Sequence, residues 1–307
     1  MMTRTIVAAL LSLMVAGCGD DADPGGLEDG GPSATDAGAV DAGSVDMEQL
    51  AATEPVIPET DSPCPTFETG SQTILELDTA IVAGSPTGIP GPMLFNWHGT
   101  GGSGANALRA IPSAVRSDIE AQGGLIISPS DNGETRRGPS ANGVWYEVSD
   151  LEYADHLVAC AVANHDVDPK RIYVTGCSAG GLMAGAMAMR RSYYVAAAYP
   201  DSGGLLGTGV RSPVDPSRVP ALLTMHGGEG DVVVVSFQDT SERMQGVVVG
   251  AGGFGVDCNH GLGHCRAPGD LREAAWDFMK AHPFGASTPY ASGLPAEYPD
   301  YCAIWTD

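Results

Sequence analysis

From residue 71 onward, short apolar runs alternate with longer helical stretches. "SQTILELD" (71–78) and "AIVAG" (80–84) read as opening strands, arranged as an antiparallel pair. "GPMLFNWH" (91–98) is a buried strand that breaks into the glycine-rich "GTGGSGA". Residues 113–122, "SAVRSDIEAQ", read as a helix, and "GLIISPS" as the next strand. In "EYADHLVACAVANH", Tyr153, Leu157, Ala161 and Val162 share one helical face. "DVDPK" then reads as a turn ahead of the strand "RIYVTG". Beyond Ser178 come a helix, strands in "VAAAYP", "ALLTMHG" and near "GVVVGAGGF", and a last helix, "DLREAAWDFMKAH". This alternation predicts an α/β fold with a mostly parallel central sheet and helices on both faces. It predicts one domain, residues 63–307.

The amino-terminal region has a different pattern. "MMTRTIVAALLSLMVAGC" (1–18) has a basic start at Arg4 and an apolar run from Ile6 to Val15. The run is too short to span a bilayer and reads as a secretory signal. Its end, Val15-Ala16-Gly17-Cys18, resembles the lipobox of bacterial lipoproteins, in which Cys18 becomes the lipidated first residue. An ordinary cleaved signal with an incidental cysteine is the alternative. Residues 19–62 hold twelve Asp and Glu and no Lys or Arg, are rich in Gly, Ala, Ser and Pro, and almost lack aromatic residues. Such a stretch cannot bury enough apolar surface to offset ordering, so it reads as a disordered, self-repelling spacer. The expected location is outside the cytoplasm, on a membrane through Cys18 or secreted. The net charge of −23 argues against nucleic acid as a partner. Residues 63–307, with 26 acidic and 14 basic side chains, are only moderately acidic.

Candidate chemistry centres on "RIYVTGCSAGGLMA". A strand runs into Gly176-Cys177-Ser178-Ala179-Gly180 and then into a helix, the context that makes Gly-x-Ser-x-Gly a specific signal for a nucleophile. The flanking glycines suit a sharp, strained turn. The helix start would offer the Ala179 N–H to a developing oxyanion. A second donor is expected from "NWHGTGGSG", with the N–H of Thr100 the best candidate. That loop lacks the Lys-Ser/Thr ending of a phosphate-cradling loop. The acid should follow the nucleophile and the base should come last. In "MHGGEGD", Asp231 is the leading acid, ahead of Glu229, with Asp201 in "YPDSGG" as the fallback. Of the late histidines His260 and His264, His264 has the better position as base. Trp145 is a candidate wall for the substrate pocket, or a core tryptophan. No Cys-x-x-Cys or His-x-x-x-His spacing suggests a metal, and neither metal nor cofactor is expected.

Apart from Cys18 there are six cysteines, an even set in an exported chain. If Ser178 and His264 approach each other, their neighbours Cys177 and Cys265 also come within bonding reach. A bridge between them would staple the two loops, and local pairing of Cys258 with Cys265 is the alternative. Cys64, Cys160, Cys258 and Cys302 otherwise allow three pairings that the sequence leaves open.

Through "NWHGTGGSG", "DVDPKRIYVTGCSAGGLMA", "HGGEGD" and "GLGHCRAP" leading to "AAWDFMKAHPFG", residues 70–285 resemble secreted α/β-hydrolase esterases. The groups concerned are the polyhydroxybutyrate depolymerase-like and the feruloyl or acetylxylan esterase-like proteins. The resemblance implies an α/β-hydrolase fold with Ser178, Asp231 and His264 as its triad. Cys177-Ser178, Asp231 and His264-Cys265 also resemble the Cys-Ser…Asp…His-Cys arrangement of the tannase and fungal-type feruloyl esterase family, where a disulfide joins the catalytic loops. That family carries a large lid domain for which this chain has no room. The loop before Asp231 is one residue longer than is usual, and the base loop lacks an aromatic after the histidine. The function implied is hydrolysis of polyester, feruloyl or acetyl-polysaccharide esters through an acyl-enzyme. A serine amidase or peptidase with the same triad is the second enzymatic reading. A catalytically silent, surface-binding lipoprotein is the non-enzymatic one.

Overall fold

The structure is a computed structural model, and its described residues are 54–130, 148–207 and 212–306. The signal with Cys18, most of the acidic spacer and Trp145 lie outside them. No helix among the described residues is long and apolar enough to cross a membrane.

The strands are β1 (Gly70–Ile74), β2 (Leu77–Ala83), β3 (Gly91–Trp97), β4 (Leu125–Pro129), β5 (Val167–Cys177), β6 (Ala197–Asp201) and β7 (Ala221–His226), followed by β8 (Val232–Val233), β9 (Val235–Ser236), β10 (Gly255–Asn259) and β11 (Cys302–Ile304). Nine of them form one sheet in the order β1-β2-β4-β3-β5-β6-β7-β10-β11, while β8 and β9 make a separate small hairpin. From β4 to β10 all neighbours are parallel, and antiparallel pairing is confined to the two edges. The opening pair turns at Leu75 and Glu76, with φ of 45° and 68°. Two consecutive left-handed residues match the natural twist of paired strands.

Among the described residues six α-helices accompany the strands: α1 (Gly104–Ala110), α2 (Ser113–Ala121), α3 (Val148–Asn164), α4 (Ala179–Arg190), α5 (Phe237–Gly250) and α6 (Gly269–Ala281). Successive residues of a strand point to opposite faces, and the core divides accordingly. Met93, Phe95 and Trp97 join a cluster with Leu157, Met183 and Val248 of α3, α4 and α5. Leu94, Tyr173 and Leu223 join a second cluster with Ile119 and Phe278 of α2 and α6. Both faces of the parallel strands are therefore covered, which explains why their sequences are apolar at consecutive positions rather than alternately.

Two expectations need correction. "DVDPK" is not a turn throughout, because only Asp166, at φ 54°, turns. Val167 already begins β5 and pairs with Gly91 of β3. The run "GVVVGAGGF" is not a strand: Gly246 to Gly250 complete α5. Phe237, Thr240, Ser241, Met244 and Val248 are buried at helical spacing. Ser236 caps the helix by accepting the N–H of Asp239 at 3.1 Å. The strand propensity of three consecutive valines is overridden by this cap and this face. The strand itself lies five residues beyond the helix end, as β10, parallel to β7. The short elements α1, β8, β9 and β11 lie outside the sequence-based expectation.

Contacts with the domain begin ahead of residue 63. The Val56 N–H donates to the Tyr193 carbonyl at 2.8 Å, Thr60 bonds the His156 ring at 2.7 Å, and Cys64 is bonded to Cys160 of α3. This disulfide closes 96 positions, and removing one of its kind typically costs about 2–5 kcal/mol. Replacing both cysteines by Ala is expected to lower the urea midpoint by the equivalent amount in equilibrium unfolding. An unchanged midpoint would mean that the amino-terminal arm contributes nothing to stability.

Candidate active site

Ser178 is the single residue between β5 and α4, and it holds φ 59° and ψ −123°. That is the left-handed region of φ, which residues with side chains rarely adopt. The turn closes so tightly that a Cβ on Gly180 would lie 2.0 Å from the Trp97 carbonyl oxygen, and one on Gly176 would lie 2.4 Å from that of Gly180. Both positions therefore demand glycine. The Ser178 N–H donates to the Asp201 carbonyl at 3.1 Å, tying the turn to the end of β6. The Ser178 side chain is half-buried, and its hydroxyl makes no hydrogen bond among the described residues.

The loop after β3 lies directly against this turn. A Cβ on Gly99 would be 3.3 Å from the Ser178 Cβ. The Gly102 N–H donates to the Gly99 carbonyl at 2.9 Å, and Gly101 sits at φ 71°. This is the turn geometry that requires glycine at its third position. Thr100, at the second position, is exposed, and Ala179 is the first residue of α4.

Asp231 follows a short 3-10 turn, Gly228–Gly230, after β7 and is fully buried. Its Oδ1 lies 2.7 Å from Nδ1 of His264. Its Oδ2 accepts the Ser202 hydroxyl at 2.7 Å and the Gly227 N–H at 2.9 Å. Burial alone would raise the Asp231 pKa, but the bonds from His264, Gly227 and Ser202 outweigh it and hold the carboxyl below the usual range. The His264 ring rests on buried Phe237, with ring centroids 4.6 Å apart. Its bond to Asp231 through Nδ1 leaves Nε2 available to a reacting group.

The other candidates separate from this pair. His260 is buried, and its Nδ1 accepts the Leu262 N–H at 3.1 Å, a bond that holds it within its own loop. Burial pushes its pKa down. Glu229 is exposed, and the hydrogen bond and ion pair of His264 go to Asp231 instead. Asp201 is buried and paired with Arg272 at 2.6 Å. Burial raises its pKa despite the guanidinium. His226, itself buried, lies 3.2 Å from the partly buried Asp257, a second histidine–carboxylate contact distinct from the first.

Cys177 is bonded to Cys265, with 5.8 Å between their Cα atoms. The staple between the two loops therefore forms, and Cys258 pairs with Cys302 rather than with Cys265. Because Ser178 and His264 are the immediate neighbours of bonded residues, each lies one Cα step of about 3.8 Å from the bridge. Closing 88 positions contributes about 4–5 kcal/mol in the chain-entropy treatment. Three residues of the site escape sequence reasoning: Gly227, Phe237 and Ser202. Only Ser202 carries a local signal, a hydroxyl at the end of a strand in "YPDSGG", beside the stronger signal of the Asp201 carboxylate. Beside the Ser178 turn is a cavity of about 190 Å³, lined by Gly99, Asn106, Cys177, Tyr199 and Arg272. A larger one, about 580 Å³, is lined by residues at the opposite ends of β6 and β7 and is remote from Ser178.

No family model matches the chain, and no curated protein matches it. It is similar to several solved structures. A complex of pOPH with pNPB aligns with a TM-score of 0.61 at 18% identity, over 81% of this chain and 97% of that one. Native pOPH aligns with 0.58 at 19% identity, over 79% and 97%. Native sOPH aligns with 0.61 at 18% identity, over 80% and 97%. The fold is that of the α/β hydrolases.

The depressed Asp231 pKa has a stability consequence with a definite sign. The folded carboxyl stays ionised to lower pH than the unfolded one, whose pKa is about 3.9. Its contribution is therefore complete above that value and is lost as pH falls through the lower folded value. Asp231→Asn is expected to be less stable at neutral pH and to lose less stability on acidification below about pH 4. Urea unfolding at a series of pH values checks this, and parallel curves for variant and parent would contradict it.

Proposed function

We propose that the protein is a serine carboxylic-ester hydrolase with Ser178 as nucleophile, His264 as general base and Asp231 as the acid that orients it. The observation that carries this reading is the 2.7 Å bond between Asp231 and His264, on a loop covalently joined to the residue before Ser178. His264 Nε2 takes the Ser178 proton as the hydroxyl attacks the ester carbonyl, and Asp231 stabilises the resulting imidazolium. Bonds of this kind are often long in the empty enzyme and tighten around substrate. The oxyanion is received by the N–H groups of Thr100 and Ala179. His264 then returns the proton to the departing alcohol, and water, deprotonated by the same ring, releases the acid.

The rim favours an apolar acyl group or a polyester over an acetylated polysaccharide. Val232, Val233 and Val234, immediately after Asp231, are 56%, 49% and 63% exposed, and Leu262, two residues before His264, is 54% exposed. Val234 adds a φ of 69°, uncommon for a β-branched residue. We read the apolar side chains exposed on the two loops that carry Asp231 and His264 as a binding surface. Three disulfides suit an oxidising compartment. With the signal-like residues 1–18, they support export, and lipidation of Cys18 would hold the enzyme at a membrane.

Ser178→Ala is expected to abolish both fluorophosphonate labelling and p-nitrophenyl acetate turnover, the latter by roughly 10⁴-fold or more. No turnover by the parent together with no label on Ser178 would leave a silent binding protein on this scaffold, and labelling at another residue would overturn Ser178 as the nucleophile. Faster cleavage of a matched amide than of the ester would instead support the amidase reading. Val233→Asp is expected to raise KM for p-nitrophenyl butyrate several-fold, about 1 kcal/mol of apolar contact, and to leave the acetate unaffected. Equal KM values for both esters in both proteins would dismiss the apolar rim as a substrate surface.

A further inference from the structure

Ser202 lies one residue beyond β6, fully buried, at φ 43°. Its N–H donates to the Met225 carbonyl of β7 at 2.8 Å. Its hydroxyl makes two bonds, to Asp231 Oδ2 at 2.7 Å and to the backbone nitrogen of Cys265 at 2.8 Å. The direction of both is determined by chemistry. A backbone N–H can only donate, so Cys265 gives its proton to the Ser202 oxygen. An ionised carboxylate can only accept, so the hydroxyl proton goes to Asp231. With the Gly227 N–H on the same Oδ2, that oxygen is engaged twice, and Oδ1 is left facing His264.

Cys265 is the residue after His264 and itself sits at φ 52°. Two side-chain-bearing residues in the left-handed region are thus joined by one hydrogen bond, at the meeting point of three loops. Strained residues persist where their surroundings overdetermine them. Here the surroundings are the disulfide, the β6–β7 bond and the Ser202 hydroxyl.

We infer that Ser202 is a positioning residue, which locks the acid to the base's own loop so that Asp231 and His264 stay in register through acyl transfer. The inference rests on the triad reading given above. It assigns Ser202 no contact with substrate. The relay Cys265 N–H, Ser202 O–H, Asp231 carboxylate joins the acid to the backbone of the residue that follows the base.

The test is kcat for p-nitrophenyl acetate, expressed per site titrated with fluorophosphonate, so that misfolded protein does not count. Ser202→Ala is expected to lower kcat about tenfold or more, the scale for losing a hydrogen bond to a charged group, with KM within about twofold. Ser202→Gly relieves the φ of 43° and keeps the fold accessible, so an equal loss there assigns the effect to the hydroxyl rather than to backbone strain. In an Asp231→Asn background, the Ser202→Ala substitution is expected to cost less than about twofold, because it acts through the carboxylate. Parent-like kcat in Ser202→Ala, or an undiminished loss in the Asp231→Asn background, would overturn the inference while leaving the triad intact. Parent-like kcat in Asp231→Asn alone would overturn the triad, and the role of Ser202 with it.

Discussion

Ser178 holds a backbone conformation that costs on the order of 1–3 kcal/mol for a residue with a side chain, and its surroundings are arranged to keep it there. Gly180 lets the helix pass against the Trp97 carbonyl, and Gly176 lets the strand end against Gly180. The Asp201 carbonyl holds the Ser178 N–H, and Cys177 is bonded to Cys265. A looser turn would withdraw the hydroxyl from the sheet edge. It would also slacken the placement of the loop after β10, which the disulfide ties to the end of β5.

The same edge separates two buried carboxylates by environment. Asp231 receives three directed donors and stays readily ionised, beside a histidine that is partly exposed. Asp201, only one residue from Ser202, is matched to Arg272 and has its pKa raised by burial. An ion pair of this kind offsets a buried charge, and no hydrogen bond joins Asp201 to an imidazole among the described residues. One carboxylate can therefore orient a base, while the other braces the turn and α6.

Much of the chain was legible because its periodicity and its punctuation agreed. Strand, Gly-x-Ser-x-Gly and helix occur together in "RIYVTGCSAGGLMA", and no other arrangement satisfies the glycines as well. Where local signals conflicted, the reading failed. Val247, Val248 and Val249 favour a strand by propensity, yet Ser236 caps a helix and Met244 and Val248 share its buried face. The strand then starts at Gly255, where the Leu222 N–H donating to the Phe254 carbonyl anchors the start of β10 against β7. Short elements such as β11 exist only through their partners, here β10 and the Cys258–Cys302 bond. Their sequences carry too few residues to signal anything alone.

By itself, the sequence determined the α/β class, the order of strands and helices through α4 apart from the short α1, the Gly-x-Ser-x-Gly turn and a short set of acids and bases in chain order. These are local properties, set by apolar spacing, by glycine's freedom and by the direction of the chain. Only the tertiary structure decided that His264 rather than His260 meets Asp231, that Asp201 pairs with Arg272, and which cysteines bond. It alone revealed Ser202. Those outcomes depend on distances between loops that the chain separates by 29 to 96 positions, and such distances follow from how β5, β6, β7 and β10 lie side by side. No short-range pattern encodes them.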